Sequence, residues 1–159
     1  MPNEPIFEVQ FYMIQSEFSG LALRPSNPND PGSDIIQDQG HPEALEFQWG
    51  FVQLGPNLYR IFNAMSGLCA VATKAEADIR LQQFGWNEFV HQWIYQIPVD
   101  PNQPSRVKFL SPDQTLAWSN QKIKDPGSEI TLQAVENQLY EEWLLTRIAN
   151  VEVGKGVAT

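Results

Sequence analysis

The sequence predicts an all-β domain made of one unit repeated three times, and three observations carry that reading. Short runs alternating apolar and polar residues recur at 7–14, 58–62 and 106–110, bounded by Gly, Pro, Asn or Asp. A set of anchors returns in the same order three times. Each copy then closes on a tryptophan, at Trp49, Trp93 and Trp143.

The first anchor is a pair two residues apart: Tyr12 with Ile14, Tyr59 with Ile61, and Val107 with Phe109. A leucine follows nine residues after the first member of each pair, at Leu21, Leu68 and Leu116. In the first two copies it ends a Ser-Gly-Leu turn, Ser19-Gly20-Leu21 and Ser66-Gly67-Leu68. An acid–isoleucine pair comes next, as Asp34-Ile35, Asp78-Ile79 and Glu129-Ile130. The tryptophans stand 14, 14 and 13 residues beyond those isoleucines, and Phe51, Tyr95 and Leu145 follow two positions later. Three blades do not close a propeller, whereas three four-stranded units close a β-trefoil. The repeats span about 7–54, 55–98 and 105–148, with a tail at 149–159.

The connections agree with this division. Pro- and Gly-rich loops fall at 24–32, 98–105 and 124–128, and Asp-Pro-Gly-Ser occurs at both 30–33 and 125–128. Proline followed by glycine fixes φ at one turn position and frees it at the next. Residues 136–145 have local helix propensity, but Trp143 and Leu145 fall on the repeated anchors, so the repeat predicts a strand there.

A chain of 159 residues suits one domain with a sizeable core. Its net charge of −9 leaves too few basic residues for a nucleic-acid face or an anionic membrane surface. The single cysteine, Cys69, excludes an internal disulfide and a CxxC redox pair. With only His41 and His91, a histidine-rich metal site is not expected, and no cofactor motif is present. The acidic, proline-broken start lacks a secretory pattern, no run reaches the roughly 18 apolar residues of a membrane span, and no Asn-x-Ser/Thr sequon occurs. A cytoplasmic location is the expectation.

The segment Leu58-Tyr59-Arg60-Ile61-Phe62-Asn63-Ala64-Met65-Ser66-Gly67-Leu68-Cys69 resembles the opening of a ricin-B-like lectin repeat. Trp49, Trp93 and Trp143 resemble the tryptophan of that family's Gln-x-Trp signature, and the likeness extends over about 7–148. It is nearest to small single-domain lectins of the fungal type, without disulfides. The resemblance implies carbohydrate binding without catalysis, with glycans or glycoproteins as partners.

In that family an aspartate after the second strand, a stacking aromatic, an asparagine and the signature glutamine form the sugar site. This sequence departs from the pattern in every repeat. The aspartate position holds Arg24, Val71 and Ser119, and the stacking position falls near Asp38, Gln82 and Gln133. The asparagine position holds Glu46, Val90 and Tyr140, and the glutamine is replaced by Phe47, His91 and Glu141. Simple terminal galactose is therefore a poor expectation. Amides and aromatics still gather in two repeats: Gln82, Trp86, Asn87 and His91 in the second, and Ser119, Asn120, Gln133, Asn137 and Tyr140 in the third. Such groups offer donors, acceptors and a flat apolar face. Trp86 reads equally as a loop platform or a core plug, whereas Trp118 lies in a strand and reads as core. Avidity would come from two sites per chain or from a homodimer.

Enzyme readings have little to stand on. Glu141-Glu142 and Asp34 with Asp38 are carboxylate pairs of the kind that usually face solvent, and Cys69 sits in an apolar run without a basic neighbour. Two alternatives to a lectin are kept: a β-trefoil protease inhibitor acting through the proline-rich loop at 24–31, and a partner-binding trefoil without a ligand pocket.

Overall fold

A computed structural model describes residues 10–72, 79–82, 93–96, 102 and 106–148. Among them are twelve strands. The first repeat contributes β1 (Gln10–Ser16), β2 (Ala22–Pro25), β3 (Ile35–Asp38) and β4 (Trp49–Gly55). The second contributes β5 (Leu58–Asn63), β6 (Cys69–Ala72), β7 (Ile79–Gln82) and β8 (Trp93–Gln96). The third contributes β9 (Arg106–Leu110), β10 (Leu116–Ser119), β11 (Thr131–Ala134) and β12 (Trp143–Arg147).

All pairings are antiparallel. The outer strands of each repeat close a ring, β1–β4–β5–β8–β9–β12 and back to β1, which leaves this barrel without a free edge. The inner strands form three hairpins, β2–β3, β6–β7 and β10–β11. A barrel of six strands with three hairpins is the predicted β-trefoil.

The repeated anchors meet in the middle. Ile14, Ile61 and Phe109, Ile35 and Ile130, and all three repeat tryptophans lie in one buried cluster. A buried indole usually finds a partner for its N–H, and the three repeat tryptophans do. Here the threefold relation holds at the level of single bonds. Trp49 Nε1 donates to the Leu23 carbonyl at 3.0 Å, Trp93 Nε1 to Ala70 at 2.9 Å, and Trp143 Nε1 to Trp118 at 3.3 Å. Each acceptor lies two residues after its repeat's leucine. The turns after the first strands match too: the backbone N–H groups of Ser16, Asn63 and Ser111 donate to Leu21, Leu68 and Leu116 at 2.8, 3.0 and 2.9 Å. Gly20 and Gly67 close two of these turns with φ of 79° and 76°, the left-handed region that favours glycine.

Residues 136–145 do not form an α-helix. They hold one short 3₁₀ turn, Leu139–Glu141, and then β12. The first repeat has the equivalent turn at Leu45–Phe47 before Trp49. Burial of Trp143 overrides the local propensity, as the repeat requires. Trp118 is fully buried and packs edge-on against Trp93, with ring centres 5.2 Å apart. Cys69 is a buried thiol in β6.

Candidate functional site

The third repeat opens a pocket of about 330 Å³ between the β10–β11 hairpin and the 3₁₀ turn at Leu139–Glu141. Ser119, Gln133 and Tyr140, which the sequence places at three of the site positions, line it together. Gln121, Lys122 and Glu136 complete its polar wall.

Local chemistry explains this shape. Ser119 is the last residue of β10, and its Oγ accepts the backbone N–H of Gln121 at 2.9 Å. Asn120 Oδ1 accepts from the Lys122 N–H at 3.3 Å. These short side-chain-to-backbone bonds turn the chain sharply. They hold Gln121 and Lys122 at φ of 55° and 66°, left-handed positions that non-glycine residues seldom take. The turn thereby carries Gln121 and Lys122 to the pocket.

Asn120 itself faces the other way. It is fully buried, and its Nδ2 donates to Ser16 Oγ at 2.8 Å and Gln37 Oε1 at 3.3 Å, both in the first repeat. Its amide ties two repeats together and does not line the pocket, which corrects its place among the binding candidates. Asn137 is likewise engaged at its side-chain oxygen, which accepts from Lys108 Nζ at 2.5 Å.

Opposite the hairpin, Glu141 organises the wall from below. Its carboxyl group is buried and accepts the backbone N–H groups of Glu136 at 2.8 Å and Asn137 at 3.1 Å. Burial pushes this carboxyl above the usual carboxylate range, against the opposing pull of those two N–H groups and Lys108. Tyr140 then donates its hydroxyl to Glu136 Oε1. That bond is the main reason the phenol is pushed up to about 12, so Tyr140 stays a donor across ordinary pH. Phe18 meets the Tyr140 ring edge-on at 6.2 Å, and Lys122 Nζ lies 5.4 Å from its centre. Gln133 Nε2 donates to Thr131 Oγ1 at 3.0 Å within the same strand.

The corresponding positions of the first repeat are engaged with one another. Arg24 Nε lies 3.0 Å from Asp38 Oδ2, its Nη1 lies 3.6 Å from Glu46 Oε2, and Nη1 also donates to the Pro25 carbonyl at 2.8 Å. The Asp38 carboxyl is held below its ordinary value by the Gln39 N–H and by Arg24. Buried Phe47 occupies the place of Glu141. In the second repeat, Gln82 lies in β7 opposite Cys69, with its side chain outside the described set. Trp86, Asn87 and His91 lie outside the described residues.

The loop at 24–31 begins within β2 and then folds onto itself. Ser33 Oγ accepts the Asn27 N–H at 2.9 Å, Asp34 O accepts the Ser26 N–H at 2.8 Å, and Asn27 O accepts the Asp30 N–H at 3.1 Å.

Gln121, Lys122 and Glu136 were not singled out by sequence reasoning. The signal for the first two was the polar run Ser119-Asn120-Gln121-Lys122 directly after a strand, a pattern suited to side-chain-stabilised turns. Glu136 had no comparable signal, because it reaches the pocket only through the bonds of Glu141 and Tyr140.

The sequence matches no protein-family model, and no curated protein is similar to it at a significant level. The fold does have relatives among solved structures. A designed threefold-symmetric protein, ThreeFoil, superposes with a TM-score of 0.73 at 20% identity, covering 86% of this chain and 97% of that one. A ricin B-like lectin of Macrolepiota procera, solved in complex with lactose, gives 0.72 at 17% identity, covering 91% and 99%. The C-half of an earthworm R-type lectin, in complex with GalNAc, gives 0.69 at 20% identity, covering 87% and 98%. The chain thus shares the β-trefoil of the ricin-B-like lectins over most of its length.

Proposed function

We propose that this chain is a carbohydrate-binding, non-catalytic β-trefoil lectin whose third repeat provides the principal sugar site. The observation that carries this reading is the open pocket lined by Ser119, Gln133 and Tyr140. A sugar offers hydroxyls that both donate and accept, and leaving them unpaired on burial is costly. This pocket holds amides, a hydroxyl, a phenol, a carboxylate and an ammonium group, which covers both needs. The trefoil neighbours solved with lactose and with GalNAc support the same class of ligand.

A binding role, not a catalytic one, fits the pocket's contents. A glycosidase of the usual kind needs two carboxyl groups flanking the scissile bond, whereas among the described residues Glu136 is the one carboxylate in the wall. The missing aspartate at positions 24, 71 and 119 argues against simple terminal galactose as the preferred sugar. The candidate set in the second repeat (Gln82, Trp86, Asn87 and His91) remains the proposed second site, so that two weak sites give useful avidity. The inhibitor alternative rests on the proline-rich loop at 24–31 alone, which folds on internal hydrogen bonds.

A glycan array run beside a protease-inhibition panel tests this reading. Glycan binding that is lost in Tyr140→Ala, with no inhibition, is the expected result. Inhibition without glycan binding would overturn it.

A further inference from the structure

Among the described residues the pocket wall holds one carboxylate, Glu136, and the structure shows how it is held. Glu136 is exposed, yet it is constrained at two points. Its backbone N–H is held by the buried Glu141 carboxyl, and its Oε1 accepts the Tyr140 hydroxyl. Oε2 has no hydrogen bond among the described residues. An exposed glutamate normally loses several rotamers when it orders around a ligand. Here much of that ordering is already in place before any ligand arrives, which is how preorganisation raises affinity.

We infer that Glu136 is the hydroxyl acceptor of this site and the residue that makes it select neutral sugars over acidic ones. This rests on the lectin reading above. A sugar O–H donating to a carboxylate oxygen makes a charge-assisted bond, roughly twice as strong as a neutral one. The remaining wall supplies the complementary donors: the Lys122 ammonium and the side-chain amides of Gln121 and Gln133. Tyr140 is a positioning residue, because its hydroxyl is engaged by Glu136 and Lys122 stands near its ring face. A ligand carboxylate entering this wall would face the Glu136 carboxylate as well as the Lys122 ammonium, which stands over the Tyr140 ring, in a chain whose net charge is already −9.

The test uses the full chain and ligand-observed NMR titrations with methyl glycosides of glucose, galactose and mannose, each beside its uronic-acid counterpart. The wild type should bind a neutral glycoside more tightly than the matching uronide. Glu136→Gln keeps the shape and removes the charge; it should bind the neutral sugar about tenfold more weakly and narrow the neutral-to-acidic preference. Tyr140→Phe releases Glu136 but keeps its charge, so affinity should fall less and the preference should survive. Thermal unfolding of both variants checks that the fold is intact. If Glu136→Gln binds the neutral sugars as the wild type does, or the wild type prefers the uronides, this inference fails while the lectin reading stands. If the wild type binds none of the six glycosides, both fail.

Discussion

The first and third repeats place the same backbone around different side chains. Arg24, Asp38 and Glu46 correspond to Ser119, Gln133 and Tyr140 through the shared leucine, isoleucine and tryptophan anchors. In the first repeat Arg24 is opposite in charge to Asp38 and Glu46 and pairs with both. In the third repeat the three positions are neutral and leave a pocket between them. Both repeats keep the buried tryptophan and its indole bond beneath these rims. The rim is therefore free to close with salt bridges in one repeat and to stay open in another. Core and site are separable here, and that separation is what each prediction below tries to break.

The largest effect should come from the anchors, and it should be alike in both repeats. Trp49→Ala and Trp143→Ala each remove a fully buried ring and an indole hydrogen bond. Each should cost about 3–5 kcal/mol in denaturant unfolding. A loss confined to one repeat would show that the threefold core is not shared.

Glu141 and Phe47 break the symmetry beneath the two rims. Glu141→Ala leaves the N–H groups of Glu136 and Asn137 without their acceptor and should cost about 1–3 kcal/mol. The pH dependence has a definite sign. The folded-state pKa lies above the ordinary 4.5, so the protonated group's contribution is fully present below that value. It is lost as pH rises through the folded-state value. The stability margin of the wild type over Glu141→Gln should therefore be widest in acid and narrow towards neutral pH. A margin that grows with pH would contradict the burial-dominated shift.

The smallest effect belongs to the closed rim. Arg24→Ala removes ion pairs that are partly open to solvent, and should destabilise by at most about 1 kcal/mol. That loss should shrink at high salt. Glycan binding should be unchanged, because the third-repeat pocket does not depend on Arg24.

Much of the fold was legible because a core repeats its demands. The closing tryptophans and the isoleucines Ile35 and Ile130 mark fully buried positions, and the nine-residue step marks leucines of which Leu68 and Leu116 pack half-buried against that core. That pattern was strong enough to overrule the helix propensity of 136–145. The site was legible only in part. Ser119, Gln133 and Tyr140 could be placed at one pocket because they sit at fixed offsets from anchors. Asn120 was misjudged because nothing local marks a side chain that turns inward to Ser16 and Gln37, residues far away in the chain. Glu136 and Lys122 were missed because they arrive through a loop held by Glu141 and a left-handed turn. Apolar spacing records burial, and such polar tethers leave no periodic trace.

The most direct test of an open third rim against a closed first one is a protein-observed NMR titration with the same methyl glycosides. Chemical-shift changes should cluster on Ser119, Gln133, Glu136 and Tyr140, and Tyr140→Ala should abolish them there. Shifts centred on Arg24, Asp38 and Glu46, with Tyr140→Ala binding normally, would contradict the assignment.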